Sequence, residues 1–206
     1  MNPQFTEAVQ AALQDSIQNA EASRHTEVTD LHLLQALLAD QQGYFAKFLE
    51  TLQLDPREKI EAALKKLPTF AGEAKQPGIS QELQSLIQEA QAIAKKWNDT
   101  YIATDHLLYA FWKQNKEPFK SWKKYSLQDI EKKIKEIRGD THMDSPTAEQ
   151  SLQTLDKFCK NLTSLAREGK LKAFKYFGFW ATVNSPKDLE ALEQQAEILK
   201  ETRGVA

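Results

Sequence analysis

HTEVTDLHLLQALL at residues 25–38 and DTYIATDHLLYAFW at residues 99–112 are two versions of one sequence pattern. At a constant offset of 74 residues, six positions carry an identical or similar residue in both stretches. They are Thr26, Val28, His32, Leu33, Leu34 and Ala36, which correspond to Thr100, Ile102, His106, Leu107, Leu108 and Ala110. A pattern that recurs at a fixed offset indicates a duplicated structural unit.

The segment before each stretch is duplicated as well, and its periodicity predicts a helix. Apolar residues recur there at spacings of three and four, which places them on one helix face. They are Phe5, Ala8, Val9, Ala12, Leu13, Ile17 and Ala20 in the first copy, and Ile79, Leu83, Leu86, Ile87, Ala90, Ala94 and Trp97 in the second. Thr6 and Ser80 are matching hydroxyl residues near the two helix starts.

Capping residues predict where further helices begin. Thr29 and Thr104 can accept backbone N–H groups at the start of a second helix in each copy. Because Ala103 stands at the position equivalent to Thr29, we expect the second start to shift by one residue. Later starts are predicted from Asp55, Pro56 and Glu58 in one copy, and from Ser126 and Asp129 in the other.

These signals predict an all-α fold with two pseudo-twofold-related repeats of about four helices each over residues 1–138. A single unit with one apolar face per helix leaves that face exposed, whereas two copies cover each other. Residues 139–147, GDTHMDSPT, are predicted to be a linker. A divergent helical tail with an aromatic segment, FKYFGFW at residues 174–180, is expected at residues 172–206.

Composition excludes several classes of protein. The formal charge is -2 over 206 residues, which gives no basic excess of the kind that nucleic-acid binding requires. Residues 113–138 are locally basic, and the spacing of their lysines favours a solvated helix face. The lone Cys159 allows no internal disulfide, and no apolar run reaches the roughly 18 residues of a membrane span. Because the first residues lack a signal-peptide pattern, we expect a cytoplasmic protein.

Four segments together resemble the double Clp N-terminal repeat of ClpB-like AAA+ disaggregases. They are FTEAVQAAL at 5–13, HTEVTDLHLLQALL at 25–38, LQSLIQEAQAIAKK at 83–96 and YIATDHLLYAF at 101–111. The resemblance continues through residues 148–171, which are similar to the helical segment leading into the family's first ATPase module. After Leu171 the family pattern stops, and no G-x-x-x-x-G-K-[ST] loop occurs in the chain. We therefore expect a non-enzymatic chain without a nucleotide cofactor, truncated before the ATPase module.

The resemblance implies a module that binds client protein, meaning unfolded or aggregated polypeptide, for a chaperone involved in disaggregation and the stress response. AAA+ chaperone subunits would be its other partners. An alternative hypothesis is an adaptor or decoy that docks on an AAA+ chaperone or protease and acts through its divergent tail. A catalytic constellation that would favour an enzyme is not found in the sequence.

The resemblance also implies candidate client-binding residues: Asp99, Asp105 and, less directly, Asn2. From the residues alone, Asp105 is a helix-start acid favoured by the helix dipole, and the two roles are compatible. An apolar groove where the repeats meet would involve Val9, Leu13, Leu86 and Tyr109, although the spacing of each is also typical of a core residue. His32 and His106 are interpreted as buried residues that fill space and bond a backbone carbonyl, because no metal-ligand pattern accompanies them.

Overall fold

The computed structural model describes residues 3–73, 75–122, 124–150 and 152. Within these residues the chain forms seven α-helices, one 3-10 turn and two strands of two residues each, so the predicted all-α class is confirmed. The helices are α1 (Glu7–Ala22), α2 (Asp30–Ala39), α3 (Tyr44–Thr51), α4 (Arg57–Leu64), α5 (Gln81–Lys96), α6 (Thr104–Gln114) and α7 (Leu127–Arg138). The strands are β1 (Glu27–Val28) and β2 (Gly78–Ile79), and the 3-10 turn is Phe119–Ser121.

The duplication seen in the sequence is present in the helices. The bounds of α5 lie 74 residues after those of α1, and α6 begins 74 residues after α2. The first repeat has four α-helices, as predicted. In the second repeat the third helix is reduced to the 3-10 turn, which has Pro118 at its N-cap position.

The two repeats are joined by reciprocal backbone pairing. Val28 pairs in parallel with Ile79, and Phe5 forms a parallel bridge with Ile102. Under the 74-residue offset, Ile79 is the equivalent of Phe5 and Ile102 is the equivalent of Val28. The same contact is therefore made twice, with the roles of the two repeats exchanged. The Ser80 amide donates to the Val28 carbonyl at 3.0 Å, and the Thr6 amide donates to the Ile102 carbonyl at 3.1 Å. This pairing shows the predicted pseudo-twofold relation directly.

A single hydrophobic core lies between the repeats. The central helices are α2 and α6, and every residue of α6 from Thr104 to Trp112 is buried. Leu33 and Leu34 from one repeat and Leu107 and Leu108 from the other are at most 1% exposed. Burial of this apolar area stabilises the fold by roughly 25 cal/mol per Å² removed from water.

Most of the predicted helix starts are confirmed. The Ser80 hydroxyl accepts from the Leu83 amide at 3.2 Å, and Ser126 and Asp129 form a reciprocal capping box. The Asp55 carboxylate accepts from the Arg57 amide at 3.0 Å. Thr6 is different, because its buried hydroxyl has no partner within the described part of the chain.

The predicted shift at the start of α6 is wrong. Ala103 occupies the N-cap position, and the helix begins at Thr104, in register with the first repeat. The alanine is tolerated because Asp105 Oδ1 accepts from the His106 amide at 2.7 Å, which is the third helical amide that a capping hydroxyl could otherwise bond.

Residues 139–147 contain no helix or strand, yet they are docked onto the repeats. Met143 is fully buried, and its carbonyl accepts from the amides of Thr100 and Tyr101 at 3.2 and 2.9 Å. The helical conformation expected from residue 148 onward is present at 148–150 and at 152. The aromatic tail, Cys159 and the rest of the predicted lead-in lie outside the described residues.

Candidate functional site

His32 and His106 cap the two central helices. Each stands at the third helical position, where a glutamate usually accepts a hydrogen bond from the N-cap backbone amide. His106 Nδ1 accepts from the Ala103 amide at 2.9 Å, and His32 Nδ1 accepts from the Thr29 amide at 3.0 Å. The prediction that each ring bonds a backbone carbonyl is therefore wrong, because Nδ1 accepts a hydrogen bond from a backbone amide. In a neutral ring this places the proton on Nε2.

The Nε2 atoms have different partners in the two repeats. His32 Nε2 lies 2.8 Å from His25 Nδ1, whereas His106 Nε2 lies 2.9 Å from Asp99 Oδ2. Residues 25 and 99 are equivalent under the 74-residue offset. The first repeat thus has a pair of imidazoles at this position, and the second has an acid and an imidazole.

Arg138 completes the charged cluster of the second repeat, which we define as Asp99, Asp105, His106 and Arg138. Its guanidinium donates to Asp99 Oδ2 and, at 3.2 Å, to Asp105 Oδ2. The Trp97 ring lies 5.6 Å from the same guanidinium. Arg138 is only 7% exposed, so both ion pairs are screened weakly by water.

Asp99 accepts hydrogen bonds from three partners. Burial by itself raises its pKa, but hydrogen bonds from His106, from the Met143 amide and from Arg138 together lower the pKa of Asp99 to about 2. The Met143 amide donates to Asp99 Oδ1 at 2.9 Å. Asp99 therefore stays ionised and ties the segment after α7 to the start of α6.

Glu149 comes after α7 in the sequence, and its side chain lies at the start of α6. Its Oε1 accepts a hydrogen bond from the Thr104 amide, the first amide of the helix. The residue is 4% exposed. Burial and the neighbouring charge of Asp105 raise the pKa of Glu149 to about 7, despite opposing contributions from Thr104 and His106.

The predicted site residues occupy several environments. Asp99 and Asp105 are brought together by Arg138, and Asp105 also accepts from the His106 amide at 2.7 Å, which is the helix-start role. Val9 and Leu86 are both 0% exposed, which is the core environment that their spacing also allowed. Tyr109 is buried and donates its hydroxyl to Glu131 at 2.9 Å.

Two predicted site residues remain. Leu13 is partly buried against the core. Asn2 lies outside the described residues. Client contact by any of the predicted residues stays a prediction.

Sequence reasoning missed Arg138 and Glu149. A signal for Arg138 was available, because its equivalent in the first repeat is the buried Leu64. An arginine that replaces a core leucine between copies needs a buried acid nearby. For Glu149 the repeat offers no such signal, since it follows the second copy.

A metal site is not indicated: the part of the chain that the structure describes has no group of three His, Cys, Asp or Glu side chains placed to hold an ion. Over the same residues, no helix combines the length and apolar character needed to cross a membrane.

Residues 4–125 match the family described as Clp repeat (R) N-terminal domain. The chain belongs to this family. It is similar to the chaperone protein ClpB of several bacteria. It is 44% identical to ClpB of Chlamydia pneumoniae over 173 residues, and 32% identical to ClpB of Mycobacterium tuberculosis over 171 residues. Each alignment covers 81% of this chain and 20% of the relative, so the chain spans about a fifth of these proteins.

Solved structures show the same Clp repeat fold. The Hsp104 N-terminal domain from Candida albicans has a TM-score of 0.61 at 21% identity, covering 71% of this chain and 99% of that one. The N-domain of ClpV from Vibrio cholerae has a TM-score of 0.57 at 17% identity, covering 66% and 86%.

Removing Arg138 tests the buried cluster. We expect Arg138→Met to lower the free energy of unfolding by about 3–5 kcal/mol at pH 7, because Asp99 and Asp105 would lose the partner that neutralises them. Lys135→Met is the matched control, since the Lys135–Glu131 pair is exposed on its lysine side and should contribute less than about 1 kcal/mol. Urea unfolding measures both, and equal losses would contradict the cluster's role.

The imidazole pair of the first repeat predicts sensitivity to acid. Burial, with a smaller effect from His25, lowers the pKa of His32 from 6.5 to about 4. Between these values the unfolded chain binds more protons, so stability should fall as the pH falls from 6.5 to 4. His32→Gln, which keeps an acceptor for the Thr29 amide, should flatten this dependence, while His142→Gln at an exposed site should not. Thermal unfolding at several pH values measures this dependence. If stability falls with pH as steeply in His32→Gln as in the parent chain, His32 is not the residue responsible.

Proposed function

We propose that this chain is the client-binding module of a ClpB-like ATP-dependent chaperone. It binds unfolded or aggregated polypeptide in the cytoplasm and presents it to AAA+ chaperone subunits during the stress response. The observation that carries this proposal is the match of both repeats, in order, to the N-terminal Clp repeat family, together with the identity to bacterial ClpB. A further support is a ClpV N-domain solved in complex with VipB peptide, with a TM-score of 0.53 at 17% identity.

The proposed mechanism is binding without catalysis. Large exposed apolar side chains are few, with Ile79 at 45% and Ile137 at 42% in the described part of the chain. Each buried Å² of apolar client surface contributes roughly 25 cal/mol before the cost of ordering the client is subtracted, so small patches give weak binding. Weak binding suits a module that must release its client to a motor.

Asp99 and Asp105 are proposed to act as positioning residues. Their carboxylates are occupied by Arg138, His106 and backbone amides, and Asp105 is 1% exposed. They hold the start of α6 and the segment around Met143 in place, and a client would meet the surface that these elements build. In this role, substitution of either residue is expected to weaken client capture without removing a direct contact.

The lack of a phosphate-binding loop supports the proposal that the chain hydrolyses no ATP by itself. Hydrolysis would then be supplied by the AAA+ subunits that receive the client.

Binding of an unfolded protein tests the proposal. The full chain should bind a reduced, carboxymethylated test protein with micromolar or weaker affinity, and should not bind the same protein in its native, disulfide-bonded form. Fluorescence anisotropy measures this, with an ATPase assay in parallel. A chain lacking residues 172–206 should bind equally well. Loss of binding in the shortened chain would favour an adaptor acting through its tail, and ATP turnover by the full chain would contradict both ideas.

A further inference from the structure

A cleft of about 340 Å³ lies between α1, the junction of α2 and α3, and the start of α6. Its walls are small apolar side chains of the first two helices, including Ala8, Ala12 and Ala36. Gly43 lines the same cleft, where a Cβ would come within 2.6 Å of Asp40 Oδ2. The glycine therefore allows the close approach of Asp40 that shapes this side of the cleft.

Three buried oxygens of lining residues have no hydrogen-bond partner among the described residues: Glu149 Oε2, the Tyr44 hydroxyl and the Thr104 hydroxyl. Glu149 is 4% exposed and Tyr44 is 7% exposed. Buried polar atoms in folded proteins are nearly always bonded, and leaving one unpaired costs on the order of 1–3 kcal/mol. A polar ligand in the cleft would supply the missing partners.

The charge of the cleft indicates the sign of that ligand. Its ionisable lining residues other than Tyr44 are Asp15, Asp40 and Glu149, and none of the described lining residues is basic. Asp15 and Asp40 are exposed, whereas Glu149 is buried. A cation with an apolar stem matches acidic groups combined with alanine walls.

The geometry of the buried carboxylate favours lysine over arginine as the ligand side chain. Glu149 Oε1 already accepts from the Thr104 amide, which leaves one free carboxylate oxygen. Arginine binds carboxylates best through two parallel hydrogen bonds, whereas the lysine ammonium acts as a point charge. We propose that the cleft binds a lysine side chain of a client polypeptide, with the ammonium donating to Glu149 Oε2 and the Tyr44 hydroxyl. This inference rests on the proposed function, because it names the chemistry of the client.

The lysine would bind the ionised carboxyl. The charged and titratable groups that act on Glu149 are Asp105, His106 and Tyr44. Because the pKa of Glu149 is about 7, affinity for the lysine should rise as the pH rises through 7.

The test compares blocked five-residue peptides, with leucines flanking a central lysine, norleucine or arginine, binding to the full chain at pH 8. We expect the lysine peptide to bind about 10–100-fold more tightly than the norleucine peptide, as a hydrogen bond to a charged group implies, and more tightly than the arginine peptide. Glu149→Gln should abolish the lysine preference, and Tyr44→Phe should reduce it. Asp15→Asn, at an exposed lining residue, is the control and should change the preference less than about threefold.

Glu149→Gln is suited to this purpose because it should fold. Glutamine can still accept from the Thr104 amide. Since folding raises the pKa of Glu149 from 4.5 to about 7, the folded state holds the extra proton and stability falls as the pH rises between these values. The variant should therefore unfold at the same or higher urea concentration than the parent chain at pH 8.

Equal affinity for lysine and norleucine peptides, or a lysine preference that survives in Glu149→Gln, would overturn the inference while leaving the proposed function intact if the carboxymethylated protein still binds. Failure of the full chain to bind either the peptides or the carboxymethylated protein would remove both.

Discussion

Reciprocal pairing of backbone between the repeats is the constraint on which this structure depends. In each repeat, a residue just before the first helix pairs with a residue before the second helix of the other repeat. Phe5 pairs with Ile102, and Ile79 pairs with Val28. Since α1 and α5 each start two residues beyond the paired residue, the pairing fixes where both helices enter the core. Neither repeat can satisfy these backbone groups alone, which gives a physical reason for the duplication.

The two repeats share this pairing but differ in the charged residues near their second helices. The capping histidine is retained in both, while its partner is His25 in one copy and Asp99 in the other. The second copy then acquires Arg138 in place of Leu64, and with it a buried ionic cluster that holds the segment after α7. The ionic cluster therefore holds the start of α6 in place, next to the cleft proposed to bind a client side chain.

Local signals account for what the sequence predicted correctly. Helical periodicity and the caps at Ser80 and Ser126 depend on neighbours in sequence, and both are present in the structure. The 74-residue offset comes from comparing the two copies, and it is present as well. Local signals did not predict the surroundings of particular side chains. Helical spacing cannot distinguish a groove from a core, so Val9 and Leu86 were candidates for both. The contact between Met143 and Asp99 spans 44 residues, and no local pattern signals it.

Native-state hydrogen exchange of the full chain can show whether each repeat depends on the other for its structure. The amides of Thr6, Ile102, Gly78 and Ser80 all donate across the repeat boundary. If neither repeat holds its structure without the other, all four should exchange with one opening free energy, equal to that of global unfolding. Markedly lower protection of the two amides at one of the pairings, with the other two still fully protected, would show that the repeats open independently and would contradict the account.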